Sequence, residues 1–327
     1  MKDTKDPSLL YLSRADVEAA GLDMPTVIAL LETAFLEKGE GRVEMPPKPG
    51  IHPGPDAFIH AMPALIPKMR AAGIKWVGGF PENPSRGLPY ISGLIILNDV
   101  ETGLPTAIMD CTWITGYRTA GATAVAARRL ARPDSETAGI LGCGLQGRTH
   151  LLALASIFPL KKVLAYDIST TALKAFIEEM SPKLGLEIDP VSEPHRAVEG
   201  SDLVVTAGPL LKNPDPVIEK DWLQPGAFAG AVDFDSYWKP EALLQMDKLV
   251  TDDIAQFQYY RTVGYFRQTP DPTADLGEIL AGRKPGRENA SERTMAMNLG
   301  LAIGDMAVAP EVFRRAAERG LGVRLPL

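Results

Sequence analysis

The stretch TAGILGCGLQGRTHLLALASIFPLKKVLAYD, residues 137–167, decides the fold. Its first apolar run, TAGIL (137–141), leads into GCGLQG (142–147), which is a complete G-x-G-x-x-G pattern. Apolar residues then recur at helical spacing over 149–158, and a second apolar run follows at 162–166. The pattern predicts a strand, a glycine turn, a helix and a second strand.

The glycines of this turn predict a phosphate site. Gly142 allows a tight turn, Gly144 lets the backbone approach a pyrophosphate, and Gly147 lets the helix pack against the strand. Asp167 lies where an acid accepts hydrogen bonds from the ribose hydroxyls of NAD and repels the extra phosphate of NADP. We therefore predict a Rossmann-type NAD site, with a plain βαβ turn without a ligand as the alternative.

Composition restricts the class of protein. At 327 residues with a net charge of −7, the chain is long enough for two domains and has no basic excess for nucleic acid. Cys111 and Cys143 are too few for a disulfide framework. No apolar run reaches the ~18 residues of a membrane helix, and MKDTKDPSLL lacks the basic-then-apolar order of a signal peptide. We expect a cytoplasmic protein without a membrane partner.

Before the glycine turn the sequence predicts an antiparallel sheet. Apolar runs separated by connections too short for helices lie at 57–62, 72–80, 90–99 and 104–110. The preceding passage MPPKPGIHPGP (45–55) is too rich in proline for a central strand, so it should lie extended along a surface or a pocket.

The remaining patterns place this sheet beside a doubly wound domain. A helix through 117–131, with Thr115 as its N-cap, should join the two domains. Six strands are predicted from residue 137 onward, and 295–320 has a long helical pattern that could return to the first domain. The fold class is therefore α/β, with a Rossmann-type domain at 126–299 and a discontinuous α+β domain at 1–125 and 300–327.

Four side chains are candidates for chemistry, each with a structural alternative. Lys75 is a substrate ligand or acid–base group, or else an edge lysine that reaches solvent. Arg118 binds a substrate carboxylate or lies on a helix surface. Asp233, with Asp235 as a rival, ends a strand at the edge where ligands bind. His60, between apolar residues, is more often a core histidine than a catalyst.

Other chemistries have no support in the sequence. The four histidines, at 52, 60, 150 and 195, are isolated, so no metal site is expected. His150 and Cys143 are interpreted as structural residues near the glycine turn. Neither a G-x-S-x-G elbow nor a G-x-x-x-x-G-K-[ST] loop is present.

With these residues assembled, the chain resembles the ornithine cyclodeaminase/mu-crystallin family. The resemblance covers most of the chain and is carried by GIKWVGGFPEN (73–83), GLIILNDVETGLPTAIMD (93–110), ITGYRTAGATAVAARRLA (114–131), ILGCGLQGRTH (140–150), LVVTAG (203–208), ADLGEILAG (274–282) and MNLGLAIGDMA (297–307). The segment AVDFDSYW (231–238) further resembles a subgroup that carries the name of a tyramine oxidase subunit.

The resemblance implies a split first domain for dimerisation and most of the substrate site, together with an NAD(P)-binding domain. Its members act on amino acids or imines. The resemblance makes Lys75 and Arg118 carboxylate ligands, Thr119 a cofactor contact, and Asp233 the acid that acts on the substrate amine. The residues expected to bind the cofactor are Gly142, Gly144, Leu145, Gln146, Gly147, Asp167, Thr119, Thr206 and Ala207.

Two departures from the family pattern weaken the case for ornithine cyclisation. Lys48 is the nearest candidate for a substrate arginine that usually precedes the first strand. His60 stands two residues before Met62, in place of a glutamate that serves the cyclodeaminases. A histidine with a pKa near ~6.5 exchanges protons at neutral pH, which suits a reductase or dehydrogenase.

The leading hypothesis is a homodimeric, NAD(H)-dependent oxidoreductase on a C–N bond, an amino-acid dehydrogenase or an imine reductase. Arg118 and Lys75, with Lys48 as a third cation, would bind the substrate carboxylate, and Asp233 or His60 would exchange the proton on nitrogen. The alternatives are a cyclodeaminase that recycles NAD and a non-catalytic nucleotide-binding accessory protein.

Overall fold

The structure, a computed structural model, describes residues 8–54 and 56–327, and the chain divides into two compact units. The first unit runs up to Arg118 and resumes at Leu301–Leu327, and the second is Thr119–Gly300. Residues 1–7 of the N-terminal sequence, and Pro55 of the proline-rich passage, lie outside the described residues. The substrate-binding, dimerisation and NAD-binding roles of the predicted domains stay predictions.

The first unit is built on a mixed sheet. Within the described residues its strand order is β15-β1-β6-β5-β4-β3-β2. The strands are β1 (Ser8–Leu12), β2 (Gly50–Gly54), β3 (Ala57–Ile66), β4 (Ala71–Gly79), β5 (Ile91–Asn98), β6 (Pro105–Asp110) and β15 (Val323–Pro326). The helices are α1 (Arg14–Ala19), α2 (Met24–Gly39), the first part of α3 (Thr112–Leu130) and α10 (Ala302–Glu318).

The antiparallel pairing predicted from β3 to β6 is confirmed, whereas β1 lies parallel to β6. The proline-rich passage supplies β2 at the edge of the sheet, where missing amide donors cost least. Helix α10 packs against α2, β3 and β4. Because side chains alternate along a strand, Lys75 and Val77 face this buried side, while Trp76 faces the opposite side.

The prediction that Thr115 caps α3 is wrong. The helix begins at Thr112, whose amide donates to Asp110 Oδ1 at 2.8 Å, so Asp110 supplies the capping oxygen one turn earlier. Thr115 lies inside the first turns, where its amide donates to the carbonyl of Cys111 at 2.8 Å.

The second unit is a parallel sheet with helices. Over residues 119–300, all of which are described, the strand order is β13-β12-β14-β11-β10-β7-β8-β9. The strands are β7 (Thr137–Leu141), β8 (Lys162–Tyr166), β9 (Ile188–Pro190), β10 (Leu203–Thr206), β11 (Phe228–Ala231), β12 (Lys248–Thr251), β13 (Ala274–Asp275) and β14 (Thr294–Met297). The helices are α4 (Leu145–Ala155), α5 (Thr170–Leu184), α6 (Pro194–Val198), α7 (Pro240–Leu243), α8 (Ile254–Thr262) and α9 (Leu276–Leu280).

The predicted count of six strands is therefore wrong, because the described sheet has eight. Strand β14 falls in the passage predicted as helix from residue 295, and it lies between β11 and β12. All four of its residues are buried, so its sequence has no alternation to distinguish a strand from a helix.

Candidate functional site

The glycine turn of the second unit has the geometry that a dinucleotide requires. Gly142 has φ +101°, and a Cβ on Gly147 would lie 2.1 Å from the carbonyl oxygen of Gly142. A Cβ on Gly144 would meet nothing within 4 Å, so the backbone there is open to a ligand. Gly144 is also the N-cap of α4, with Leu145 as the first helical residue. A pyrophosphate fits this helix start.

Asp167 is fixed at the rim of the same turn. Its Oδ2 accepts from the amide of Cys143 at 2.7 Å, and its Oδ1 accepts from the amide of Ser169 at 2.8 Å. Inside the turn, the Oε1 of Gln146 is buried and lacks a hydrogen-bond partner among the described residues. A held carboxylate and an unsatisfied acceptor fit the polar end of a dinucleotide, so the residues present fit NAD.

His150 and Cys143 have structural surroundings, as the sequence indicates. His150 is fully buried, with Nε2 2.9 Å from Thr123 Oγ1 and Nδ1 2.7 Å from the carbonyl oxygen of Gln146. Burial lowers the pKa of His150 to about 4, and it raises the pKa of the Cys143 thiol to about 12. Both are uncharged near neutral pH.

Asp233 lies two residues beyond the end of β11 and is fully buried. It accepts from Thr206 Oγ1 at 2.7 Å and from the amide of Gly208 at 3.1 Å. Burial raises the pKa of Asp233 to about 7, although both hydrogen bonds oppose the rise. Its rival Asp235 accepts from Thr269 Oγ1 at 2.8 Å, and burial raises its pKa as well.

Thr206 is engaged inside the protein rather than at a free surface. Its hydroxyl donates to Asp233 and accepts from Trp238 Nε1 at 3.1 Å, so it orients the carboxyl group. The sequence assigned Thr206 only to the cofactor, and it gave no role to Trp238.

Ala207 and Thr119 are two other predicted cofactor contacts. The amide of Ala207 donates to the carbonyl of Leu141 at 2.8 Å. Thr119 is buried in α3.

In the first unit, Lys75 and Arg118 meet at a buried carboxylate. Lys75 Nζ donates to Asp305 Oδ1 at 2.8 Å, and Arg118 Nε donates to the same oxygen at 3.2 Å. Lys75 is 1% exposed, Arg118 6% and Asp305 0%. The alternatives of an edge lysine and of a surface arginine are therefore wrong. Lys75 Nζ also donates to Thr115 Oγ1 at 3.4 Å.

Asp305 is the residue that sequence reasoning missed. It lies in the first turn of α10, within the apolar run AIGDMAVA (302–309). A single acid in the middle of a buried helical pattern was the available signal, because such a charge is rarely buried without a partner.

The surroundings of His60 do not suit the histidine with a pKa near ~6.5 that the sequence suggested. Its ring stacks on Phe58 with centroids 4.4 Å apart and is half-buried. Burial, with smaller effects of Lys48, His52 and Lys75, lowers the pKa of His60 to about 4. The expectation of a histidine titrating near 6.5 is therefore wrong, because the ring is partly desolvated and cations lie near it. Lys48 itself is buried.

Among the described residues, no group of three or more His, Cys, Asp or Glu side chains is arranged to hold a metal ion. No helix in the described part of the chain is long and apolar enough to cross a membrane.

Comparison with known proteins adds a family match over nearly the whole chain. A model of the ornithine cyclodeaminase/mu-crystallin family matches residues 9–320. An alanine dehydrogenase of Archaeoglobus fulgidus is 34% identical over 325 residues, which cover 97% of this chain and 98% of the relative.

Two solved structures are similar over the same extent. The Δ(1)-pyrroline-2-carboxylate reductase of Thermococcus litoralis, in complex with NADH and L-proline, has a TM-score of 0.87 and 36% identity, covering 96% of this chain and 99% of that one. An archaeal alanine dehydrogenase dimer with bound NAD has a TM-score of 0.87 and 32% identity, covering 98% and 100%.

Proposed function

Because the chain belongs to the ornithine cyclodeaminase/mu-crystallin family, we propose that it is an NAD(H)-dependent oxidoreductase on the C–N bond of a small amino or imino acid. The observation that carries this proposal is the buried pair of cations, Lys75 and Arg118, in the first unit. Relatives named as a dehydrogenase and as a reductase support the reaction class.

Lys75 and Arg118 bind the carboxylate of the substrate. The only side-chain carboxylate that either cation contacts within the described residues is that of Asp305, which neutralises one of the two charges. One positive charge therefore remains for one carboxylate, and a planar guanidinium can bind it through two parallel hydrogen bonds. Lys48 is a third cation in the first unit, and its charge reaches His60.

NAD, when bound, supplies the acceptor or donor of a hydride. The glycine turn and the first amides of α4 hold its pyrophosphate, and Asp167 binds a ribose hydroxyl. Gln146 and Leu145 line the same helix start. The fixed carboxylate of Asp167 favours NAD over NADP through charge repulsion.

Asp233 is the acid–base residue for the substrate nitrogen. With a pKa of about 7 it is half protonated near neutral pH, so it can both donate and accept a proton. Thr206 and Gly208 orient its two oxygens. His60, with a pKa lowered to about 4, is less suited to this step.

The test is a panel of L-amino acids with NAD, and of keto acids plus amines or cyclic imines with NADH, followed at the absorbance of NADH. We expect stoichiometric NADH formation or consumption. Ornithine converted to proline and ammonia without net NADH would instead establish the cyclodeaminase. Saturable nucleotide binding with no turnover of any amine or imine would establish the non-catalytic accessory protein.

The protein is a homodimer formed through the outer face of the first unit's sheet. Trp76 and Leu94 are paired across β4 and β5 on this face and are 47% and 42% exposed. Ile74, Ile96 and Ile108 continue it across the strands. Exposed apolar patches of this kind mark interfaces, and a related structure is described as a dimer.

Multi-angle light scattering tests the dimer at micromolar concentration. We expect twice the chain mass for the native protein and a monomer for Trp76→Glu. The matched control is Leu88→Glu, a comparably exposed apolar residue outside the strands of the sheet. A native monomer, or a Trp76→Glu variant that remains dimeric, would contradict the proposal.

A further inference from the structure

A buried cluster of three charges joins three elements of the first unit. Lys75 comes from the central strand β4, Arg118 from α3, and Asp305 from α10. Asp305 Oδ1 accepts from both cations, and its Oδ2 lies 2.8 Å from Lys75 Nζ without an aligned hydrogen bond from the described residues. Each ion is at least nine-tenths buried, so the cluster cannot form without mutual neutralisation.

The sequence around Asp305 is adapted to this contact. Asp305 lies in the first turn of α10, where the helix dipole stabilises a negative charge. A Cβ on the preceding Gly304 would lie 3.1 Å from Arg118 Cδ and 3.4 Å from Leu31 Cδ2. The missing side chain therefore leaves the space along which Arg118 reaches the carboxylate.

We propose that Asp305 is a positioning residue of the substrate site, whose carboxylate holds the Lys75 ammonium and the Arg118 guanidinium together as the receptor for one substrate carboxylate. This assignment rests on the proposed function. Asp305 engages Arg118 through Nε, which leaves Nη1 and Nη2, the pair suited to a bidentate carboxylate, for the substrate. Asp305 itself does not react.

The charge state of Lys75 depends on this contact. Burial and the nearby Arg118 lower the pKa of Lys75, and Asp305 opposes them with its charge and its hydrogen bond. The other groups that face Lys75 are the Cys111 thiol and the His60 ring, of which the thiol is uncharged near neutral pH because burial raises its pKa to about 11. Removing the Asp305 charge therefore favours the neutral amine, which binds a carboxylate poorly.

The experiment compares Asp305→Asn, Asp305→Glu and the native protein with NADH bound. The matched control is Glu37→Gln, because Glu37 is also a buried acid of the first unit and pairs with Arg42 and Lys68, outside the cluster. Calorimetric titration of pyruvate from pH 6 to pH 10 gives carboxylate affinity without turnover. Steady-state kinetics on a substrate identified in the panel give KM, kcat and their pH dependence.

For Asp305→Asn we expect pyruvate affinity to fall and KM to rise by about tenfold or more, with a smaller change in kcat. The alkaline limit of binding should move to lower pH, because the pKa of Lys75 falls further without the Asp305 charge. Asp305→Glu should recover part of both effects. Glu37→Gln should change neither the pyruvate affinity nor the alkaline limit of binding. A loss that is equal at all pH values and matches Glu37→Gln would overturn the proposal, because a structural defect has no such pH signature.

A readout without substrate separates this proposal from the proposed function. The Nζ resonance of Lys75, assigned with Lys75→Arg in ¹⁵N-lysine-labelled protein, should titrate at lower pH in Asp305→Asn than in the native protein. Equal titration in the two proteins would overturn the role of Asp305 whatever reaction the protein catalyses. A shifted titration together with no pyruvate binding and no turnover would support the cluster and reject the oxidoreductase.

Discussion

Asp305 and Asp233 are both fully buried aspartates, one in each unit, and their partners differ in kind. Two cations, Lys75 and Arg118, donate hydrogen bonds to Asp305 at 2.8 and 3.2 Å. Asp233 has only neutral donors as hydrogen-bond partners within the described residues, a hydroxyl and an amide, and burial raises its pKa to about 7. Equal burial therefore gives one carboxylate two cationic partners, whereas the other has only neutral ones and a pKa at which it exchanges protons near pH 7.

This difference explains why one carboxylate suits binding and the other suits chemistry. A buried acid without a cation keeps a proton that it can donate near pH 7. A buried carboxylate that accepts hydrogen bonds from two cations instead fixes where those cations lie.

The largest effect is expected for Asp233→Asn. An amide cannot exchange a proton with the substrate nitrogen, so kcat should fall by about 10²–10⁴-fold. Steady-state kinetics against pH check this, and the variant should also lose the change in rate around pH 7. Asp235→Asn is the matched control and should keep most activity. Similar losses in the two variants would show that Asp233 has no special role.

The second prediction concerns stability and the same substitution. The folded pKa of Asp233 is about 7 and the reference value is 3.8, so between these pH values the folded state binds more protons than the unfolded state. Native stability should then fall as the pH rises from 4.5 to 8.5, by about 3 kcal/mol relative to Asp233→Asn. Urea unfolding of both proteins at pH 4.5 and pH 8.5 measures this difference. A constant difference would mean that Asp233 is ionised at both pH values.

The sequence was most informative where spacing alone fixes geometry. The glycine turn, its strands and Asp167 lie where the pattern placed them, because φ and close packing at Gly142 and Gly147 leave few alternatives. Strand β14 was missed because four consecutive buried residues have no periodicity. Asp305 was missed because its partners, Lys75 and Arg118, are 230 and 187 residues away in the chain. The low pKa of His60 likewise depends on burial and on distant cations.

Lys75→Ala tests the Asp305 side of the comparison, because it removes one of the two cations that contact Asp305. We expect kcat/KM to fall ~150-fold, which corresponds to about 3 kcal/mol of lost transition-state stabilisation. The substrate carboxylate loses a charged hydrogen bond, and Asp305 loses a partner. Lys68→Ala is the matched control, because Lys68 is an exposed lysine of the same unit that pairs with Glu37 outside the cluster. Activity equal to that of Lys68→Ala would contradict the substrate role of Lys75.

A third aspartate, Asp167, extends the comparison to a carboxylate held by backbone amides. Asp167→Asn removes a charge that repels the extra phosphate of NADP and weakens a hydrogen bond to ribose. We expect the preference for NAD over NADP to narrow by about 2 kcal/mol, or ~30-fold. Fluorescence titration of both cofactors measures this, with Asp189→Asn on the nearby β9 as the control. Tighter binding of NADP by the native protein would reject the NAD assignment.

The smallest effect is expected for His60→Gln, which tests whether a histidine among cations can replace Asp233 as the proton-exchanging group. The pKa of His60 is lowered to about 4, so the ring is neutral from about pH 6 upward and carries no proton charge that glutamine lacks. Activity at pH 7–8 should change by less than about tenfold, which is ~1.4 kcal/mol. The pH profiles of the two proteins should coincide above pH 6 and diverge only toward pH 4. His52→Gln, a substitution of the neighbouring exposed ring, is the control.

The contrary outcome is that His60→Gln removes the change in rate around pH 7 while Asp233→Asn keeps it. In that case the substrate carboxylate would have raised the pKa of His60. The roles assigned to the two residues would then be exchanged.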